Sequence, residues 1–144
     1  MSGAIIRRAT IADAPAVAEL NRTLGYSGNE EMMAARLARI LNREAHAIFV
    51  AEISGQIAGW IEAAEREVLA AGKFGEICGL VVADGKRGRG VGRQLVGAAE
   101  NWLRARGHAE ISVRSNVVRP ESHAFYERIG YARYKTQHAY RKKL

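Results

Sequence analysis

The chain has 144 residues, the size of one ordinary domain and long enough to bury a core. Apolar residues make up 48% and only two residues are proline, which excludes a disordered chain, and no apolar run reaches the length of a membrane span. A net charge of +7 invites nucleic acid, yet the basic residues cluster only at Arg87/Arg89/Arg93 and Arg141-Lys142-Lys143, with no helix-turn-helix, zinc spacing or RNA-binding aromatics.

In chain order, Ala4 to Arg8 reads as a strand. Thr10 looks like an N-cap with Asp13 three residues on, opening a helix marked by Val17, Leu20 and Leu24 and ended by Gly25. Tyr26 to Asn29 is a polar connection. Met33, Leu37, Ile40 and Leu41 mark a second amphipathic helix. Ala47 to Ile53 and Gln56 to Ala64 are strand-like runs joined by Ser54-Gly55, a hairpin signal. Glu65 to Gly72 reads as a charged connection, and Phe74 to Val82 as the next strand. A helix follows from Val91 to Arg106, with Val91, Leu95, Ala98 and Trp102 on its apolar stripe and Gly107 as its stop. Ala109 to Ser115 alternates as a strand. Pro120 starts a short helix carrying Phe125, Tyr126 and Ile129, and Gly130 ends it. Tyr131 to Tyr134 and Gln137 to Arg141 read as a closing pair of strands. The order β-α-α-β-β-β-α-β-α-β-β predicts one α/β domain over residues 1–144, a mixed sheet flanked by helices.

Arg87-Gly88-Arg89-Gly90-Val91-Gly92 lies between a strand and a helix. Alternate glycines let backbone N–H groups approach a ligand closely, the positive end of the helix dipole stands behind them, and the arginines add charge. This chemistry suits a diphosphate. The mononucleotide loop GxxxxGK[ST] is absent. The dinucleotide pattern GxGxxG fails too, because its third glycine would fall on Arg93 or Leu95.

What remains, Arg-x-x-Gly-x-Gly after a strand, resembles the acetyl-CoA loop of the GNAT superfamily of N-acetyltransferases. A second motif is similar to that family's: Asn116, then Ala124-Phe125-Tyr126-x-x-x-Gly130-Tyr131 on the last helix and its exit. Asp84 stands where the family often has proline. The element order matches over nearly the whole chain, so the resemblance implies a mostly antiparallel mixed sheet and an acetyl-CoA-dependent N-acetyltransferase. It also implies that Leu80, Val81 and Val82 bond the pantetheine arm through their backbone, that Arg87 to Arg93 hold the pyrophosphate, and that Asn116 contacts the cofactor arm. A homodimer is common in such a family.

Acetyl transfer to an amine needs a base, because a free alkylamine with a pKa near 10 is protonated at neutral pH. Glu76, eleven residues before Arg87, is the candidate base; by period two it shares a face with Cys78, Leu80 and Val82. In the protein-lysine-acetylating branch of the family glutamates occupy the same place. Tyr126 is the candidate acid for the departing thiolate. Cys78 has no histidine near it in sequence and reads as a small buried apolar residue. His46, His108, His123 and His138 lack ligand spacing, so no metal is expected. Glu30, Glu31, Glu62 and Glu65 form an acidic set on the expected acceptor side, which favours a cationic small molecule or a lysine or N-terminal amine of a peptide. The alternatives are an acyl-CoA-binding sensor without catalysis and a nucleic-acid binder. The single cysteine, and the absence of a charged start and long apolar stretch in Met1 to Arg8, lead us to expect a cytoplasmic location without membrane or nucleic-acid partners.

Overall fold

The computed structural model describes residues 3–23, 28–86, 89–115 and 120–144. Its contacts divide the chain into two compact units, Met1–Arg114 and Ser115–Leu144. The first unit holds β1 (Ile5–Arg8), α1 (Ala14–Thr23), α2 (Glu30–Leu41), β2 (His46–Ile53), β3 (Gln56–Val68), β4 (Gly72–Val82), α3 (Val91–Ala105) and β5 (Ile111–Val113); the second holds α4 (Pro120–Arg128). The sheet order is β1-β2-β3-β4-β5. Neighbours are antiparallel except β4 and β5, which run parallel with α3 as their crossover. This is the expected mixed, mostly antiparallel α/β fold.

Local signals account for the junctions. Thr10 is extended, and its N–H donates to the Asp13 carboxylate at 2.8 Å, closing a short 3-10 turn (Ile11–Asp13) that leads into α1. The expected end of α1 at Leu24 and Gly25, and Tyr26 beyond it, lie outside the described residues. Asn29 caps α2 by accepting from the Met32 N–H at 2.8 Å. Ser54 and Gly55 both have positive φ (50° and 79°), as a two-residue hairpin turn requires.

Burial fixes the layers. Ile61, Leu95, Leu103, Val50, Val91 and Val96 are the largest fully buried side chains. Helix α3 lies against one face of the sheet, close enough that a Cβ on Gly75 would meet Leu103 at 2.8 Å and one on Gly59 would meet Leu95 at 3.2 Å. The other face carries Ile48, Val50 and Trp60 beneath the apolar sides of α1 and α2, through Val17, Leu37, Met33 and Ile40.

Four expectations need correction. Glu65 to Val68 are strand, not connection: Glu67 pairs with Lys73, and the Arg66 guanidinium lies over the Phe74 ring at 5.8 Å, so cross-strand contacts carry the hairpin past the apolar run. The buried stripe of α3 is Val91, Leu95, Val96, Ala99 and Leu103, which leaves Ala98 and Trp102 on its flank. The Ala109–Ser115 strand shortens to Ile111–Val113, because β4 offers it partners only from Gly75 to Ile77. The closing strands at Tyr131–Tyr134 and Gln137–Arg141 do not form. Tyr134 and Tyr140 are 74% and 94% exposed, and Arg133, Lys135 and Arg141 share that stretch, so little apolar burial offsets the entropy of ordering it.

Asp13 supplies a first prediction. The residue is 6% exposed, and its carboxylate receives both Arg7 amino groups at 2.8 Å in addition to the Thr10 N–H. The Arg7 hydrogen bond, chiefly, holds its pKa below the usual carboxylate value despite burial. A depressed folded-state pKa gives stability that is complete above the unfolded pKa near 4 and is lost as pH falls through the lower folded value. Asp13→Asn should therefore cost about 2 kcal/mol at pH 7, and the gap from the parent should close below about pH 4 in urea titrations.

Candidate active site

The first turn of α3 has no side-chain cap. Gly90 sits at the N-cap with φ 81° and ψ 6°, a left-handed conformation that suits glycine, and a Cβ there would meet nothing within 4 Å. The N–H groups of Val91, Gly92 and Arg93 have no acceptor four residues back within the helix and stand at the positive end of its 15 residues, with exposed Arg89 and Arg93 beside them. A diphosphate fits this end, which would supply N–H donors and positive charge together. Arg87 and Gly88 lie outside the described residues. So does Asn116.

The strand that leads there has one open edge. β4 pairs with β3 from Gly72 to Val82, but with β5 only over Gly75–Ile77. Beyond Ile77 no strand flanks its second edge among the described residues, so alternate backbone groups of the stretch containing Leu80, Val81 and Val82 are left for another partner.

A β-bulge re-aims the side chains. Glu62 pairs with Gly79 and Ala63 with Ile77, so Cys78 is an extra residue on β4. The expected period-two face is broken by it. Glu76 (opposite Ala64), Gly79 (opposite Glu62) and Val81 (opposite Trp60) share the face away from α3, while Leu80 and Val82 turn to the α3 side with Ile61 and Gly59. Cys78 is exposed rather than buried, because the bulge lifts it out of the pleat.

On that face Glu76 is 7% exposed and its two oxygens meet two guanidinium groups. Arg66 Nη1 donates to Oε1 at 3.3 Å, and Arg114 Nη2 lies 3.5 Å from Oε2. Glu62 is paired with His46, whose Nδ1 is 2.9 Å from its Oε2. Cys78 is exposed only in part, and the partial desolvation of its sulfur, reinforced by the Glu62 and Glu76 carboxylates, pushes its thiol up to about 12. It stays a thiol at neutral pH and is unsuited to carry an acyl group. Two carboxylates thus flank one exposed spot on β4.

The family model described as the acetyltransferase (GNAT) family matches residues 14–131. The chain belongs to that family. It is 33% identical over 126 residues to an uncharacterised N-acetyltransferase of Chlorobaculum tepidum, covering 88% of this chain and 74% of that one. A putative acetyltransferase from Agrobacterium tumefaciens superposes with a TM-score of 0.84 at 28% identity, over 96% and 99% of the two chains. The aminoglycoside N-acetyltransferase AAC(6')-Iy in complex with CoA superposes with a TM-score of 0.88 at 22% identity, over 98% and 95%. The protein is an acyltransferase, and acetyl-CoA as co-substrate fits the donors at the start of α3.

Of the other acidic candidates of this acetyltransferase, Glu65 is drawn away from Glu62 and Glu76. Glu65 turns to the α3 side, where it takes His108 Nε2 at 2.5 Å and the Arg106 Nε–H at 2.6 Å, and these bonds lower its pKa. It tethers β3 to the end of α3 and is withdrawn from the face that carries Glu62 and Glu76. Glu30 and Glu31 are exposed in the first turn of α2. Tyr126 belongs to the second unit, where its ring makes edge contacts with Phe125 at 5.1 Å and Tyr131 at 5.5 Å, and burial raises its phenol to about 12. No group of three or more His, Cys, Asp or Glu among the described residues is arranged to hold a metal ion, and no described helix is long and apolar enough to cross a membrane.

Sequence reasoning missed His46, Arg66 and Arg114. Each is identified by its partner on another strand, and only register reveals that. Once Glu76 is chosen, the hairpin brings Arg66 to it, two residues beyond its opposite number Ala64.

Proposed function

We propose that the protein acetylates a cationic primary amine by direct attack on acetyl-CoA, as a single domain over residues 1–144. The observation that carries this reading is the pair of carboxylates, Glu62 and Glu76, flanking the exposed bulge on β4. Glu76 takes a proton from the attacking ammonium, directly or through water, and Glu62 with the α2 glutamates Glu30 and Glu31 supplies attraction. The amine nitrogen then bonds the thioester carbon as the carbon–sulfur bond breaks. The acceptor ammonium loses two protons in all: one ends on the CoA sulfur and one in solvent. Leu80 to Val82 bond the pantetheine arm along the open edge of β4, Arg87 to Arg93 hold the pyrophosphate, and Asn116 meets the arm.

Tyr126 assists the departing sulfur as a hydrogen-bond donor. Its phenol, raised to about 12, is fully protonated at neutral pH. Complete transfer to a thiolate whose conjugate acid has a pKa near 8.5 would run uphill by about 5 kcal/mol. Donation without transfer stabilises the leaving group and leaves the proton on oxygen.

The high thiol pKa of Cys78 supports direct attack over an acyl-cysteine route. Several structural relatives are aminoglycoside N-acetyltransferases, and one is in complex with a bisubstrate analogue of CoA and acetylneamine. Those acceptors are cationic amines. The test is thiol release from acetyl-CoA over a panel of aminoglycosides, polyamines, amino acids and lysine peptides. A cationic acceptor should rank first, with kcat/KM falling as salt rises, because screening shortens the reach of the carboxylates to about 10 Å at 0.1 M. A neutral or anionic acceptor in first place, or no salt dependence, overturns the acceptor class.

A further inference from the structure

We propose that Arg114 is an internal stand-in for the acceptor, a guanidinium resting on Glu76 that a cationic substrate must displace, and hence a determinant of acceptor affinity. The proposal rests on the reading of Glu76 as the proton acceptor. The two guanidinium groups on Glu76 are unequal. Arg66 extends from β3, the partner strand of β4; its guanidinium lies over the Phe74 ring, and it meets Oε1 with hydrogen-bond geometry at 3.3 Å. Arg114 follows the last residue of β5, is 72% exposed along its side chain, and approaches Oε2 only to 3.5 Å. Arg66 is built into the hairpin. Arg114 is held loosely and can leave into water.

The Glu76 side chain is 10% exposed, so its oxygens have few routes to solvent or to a ligand. Oε2, on the Arg114 side, is the oxygen that loosens without disturbing the β3–β4 pairing. An incoming ammonium makes the same kind of contact as the guanidinium it replaces, so the exchange costs only the Arg114 pair. With Arg114 72% exposed and no closer than 3.5 Å, that contact is weak. The exchange also selects: a neutral amine gains nothing that offsets losing Arg114, whereas a cation substitutes charge for charge. An acceptor bearing a carboxylate near its amine would behave in the opposite way, because it would bind Arg114 instead of evicting it.

The test compares the parent, Arg114→Gln and Arg114→Lys as CoA-bound proteins in calorimetric titrations with spermidine and with neamine. Arg114→Gln should bind at least one of the two about two- to fivefold more tightly, the range set by partly exposed ion pairs. Arg114→Lys should stay close to the parent, and the dissociation constant for CoA should not change. Equal or weaker binding by Arg114→Gln, or binding of neither probe by any of the three proteins, overturns the proposal. Weaker binding of a carboxylate-bearing amine such as lysine to Arg114→Gln, with spermidine and neamine unaffected, would make Arg114 an anion contact and equally overturn it. Failure of every amine to become acetylated would strike the proposed function instead, since the titrations require no turnover.

Discussion

Gly90→Asp is expected to leave the protein folded and to remove nearly all of the thermal stabilisation that acetyl-CoA confers. Two consequences of the substitution oppose each other in the free protein. A side chain at φ 81° is strained, by about 1–2 kcal/mol for an ordinary residue, although aspartate tolerates this region better than most. Against that, a carboxylate at the N-cap accepts from the uncapped N–H groups of α3 and sits well in the helix dipole. A Cβ there meets no neighbour within 4 Å, so no steric cost is added. Folding is therefore little affected. Cofactor binding is affected strongly, because the new carboxylate takes the donors that a diphosphate would use and repels it as well. At a concentration near 100 times its Kd, a ligand stabilises the folded state by about 2.7 kcal/mol, some 5–10 °C in a domain of this size. A Kd raised a hundredfold would leave about 0.4 kcal/mol. Gly90→Asn separates the causes, since it keeps the shape and the strain without the charge and should retain a larger share of the shift. Parent-like stabilisation of Gly90→Asp by acetyl-CoA would remove the start of α3 from the cofactor site.

Signals of short range were legible in the sequence, and they account for the frame of the fold. The Thr10–Asp13 contact, the Ser54-Gly55 turn and the glycine before α3 each act within a few residues, where chain geometry alone decides the outcome. The family motifs added the likeness of the whole. What escaped depends on register. The bulge at Cys78 arises because Glu62 pairs with Gly79 while Ala63 pairs with Ile77, and no feature of β4 read alone marks it. One residue of slippage moves Leu80 and Val82 to the α3 face and brings Cys78 to the surface, which is why period two failed just past Glu76. The same limit explains Glu65. Its charge suggested a solvent-facing acceptor wall, yet its partners, Arg106 and His108, lie more than forty residues away in sequence. The hairpin beyond Ala64 was hidden for another reason, since Arg66 over the Phe74 ring and the backbone pairing of Glu67 with Lys73 hold it without the apolar alternation by which strands are recognised.

Glu76→Gln should lower kcat by about a hundredfold or more, the range of general base catalysis, while the KM for acetyl-CoA changes little. The substitution is isosteric and keeps an oxygen that can accept from Arg66, so the β3–β4 register has no reason to move. Its thermodynamic cost is small. Arg66 and Arg114 have side chains 42% and 72% exposed and can be solvated once the charge opposite them is gone, and pairs with that much exposure contribute at most about 1 kcal/mol. A folded protein that binds acetyl-CoA normally but barely turns over would place the loss in the chemical step. The pH profile separates Glu76 from Tyr126. With its phenol raised to about 12, Tyr126 loses its proton only at the alkaline extreme, so its ionisation should cost the parent no activity up to about pH 10. A base, in contrast, is assisted as pH rises, because more of the acceptor amine arrives already neutral. Glu76→Gln should therefore recover part of its deficit between pH 8 and 10, approaching the parent as free amine replaces ammonium near the amine's pKa of about 10. A deficit that stays constant across that interval would show that Glu76 does not take the acceptor's proton, and near-parental kcat at pH 7 would remove it from the chemistry altogether.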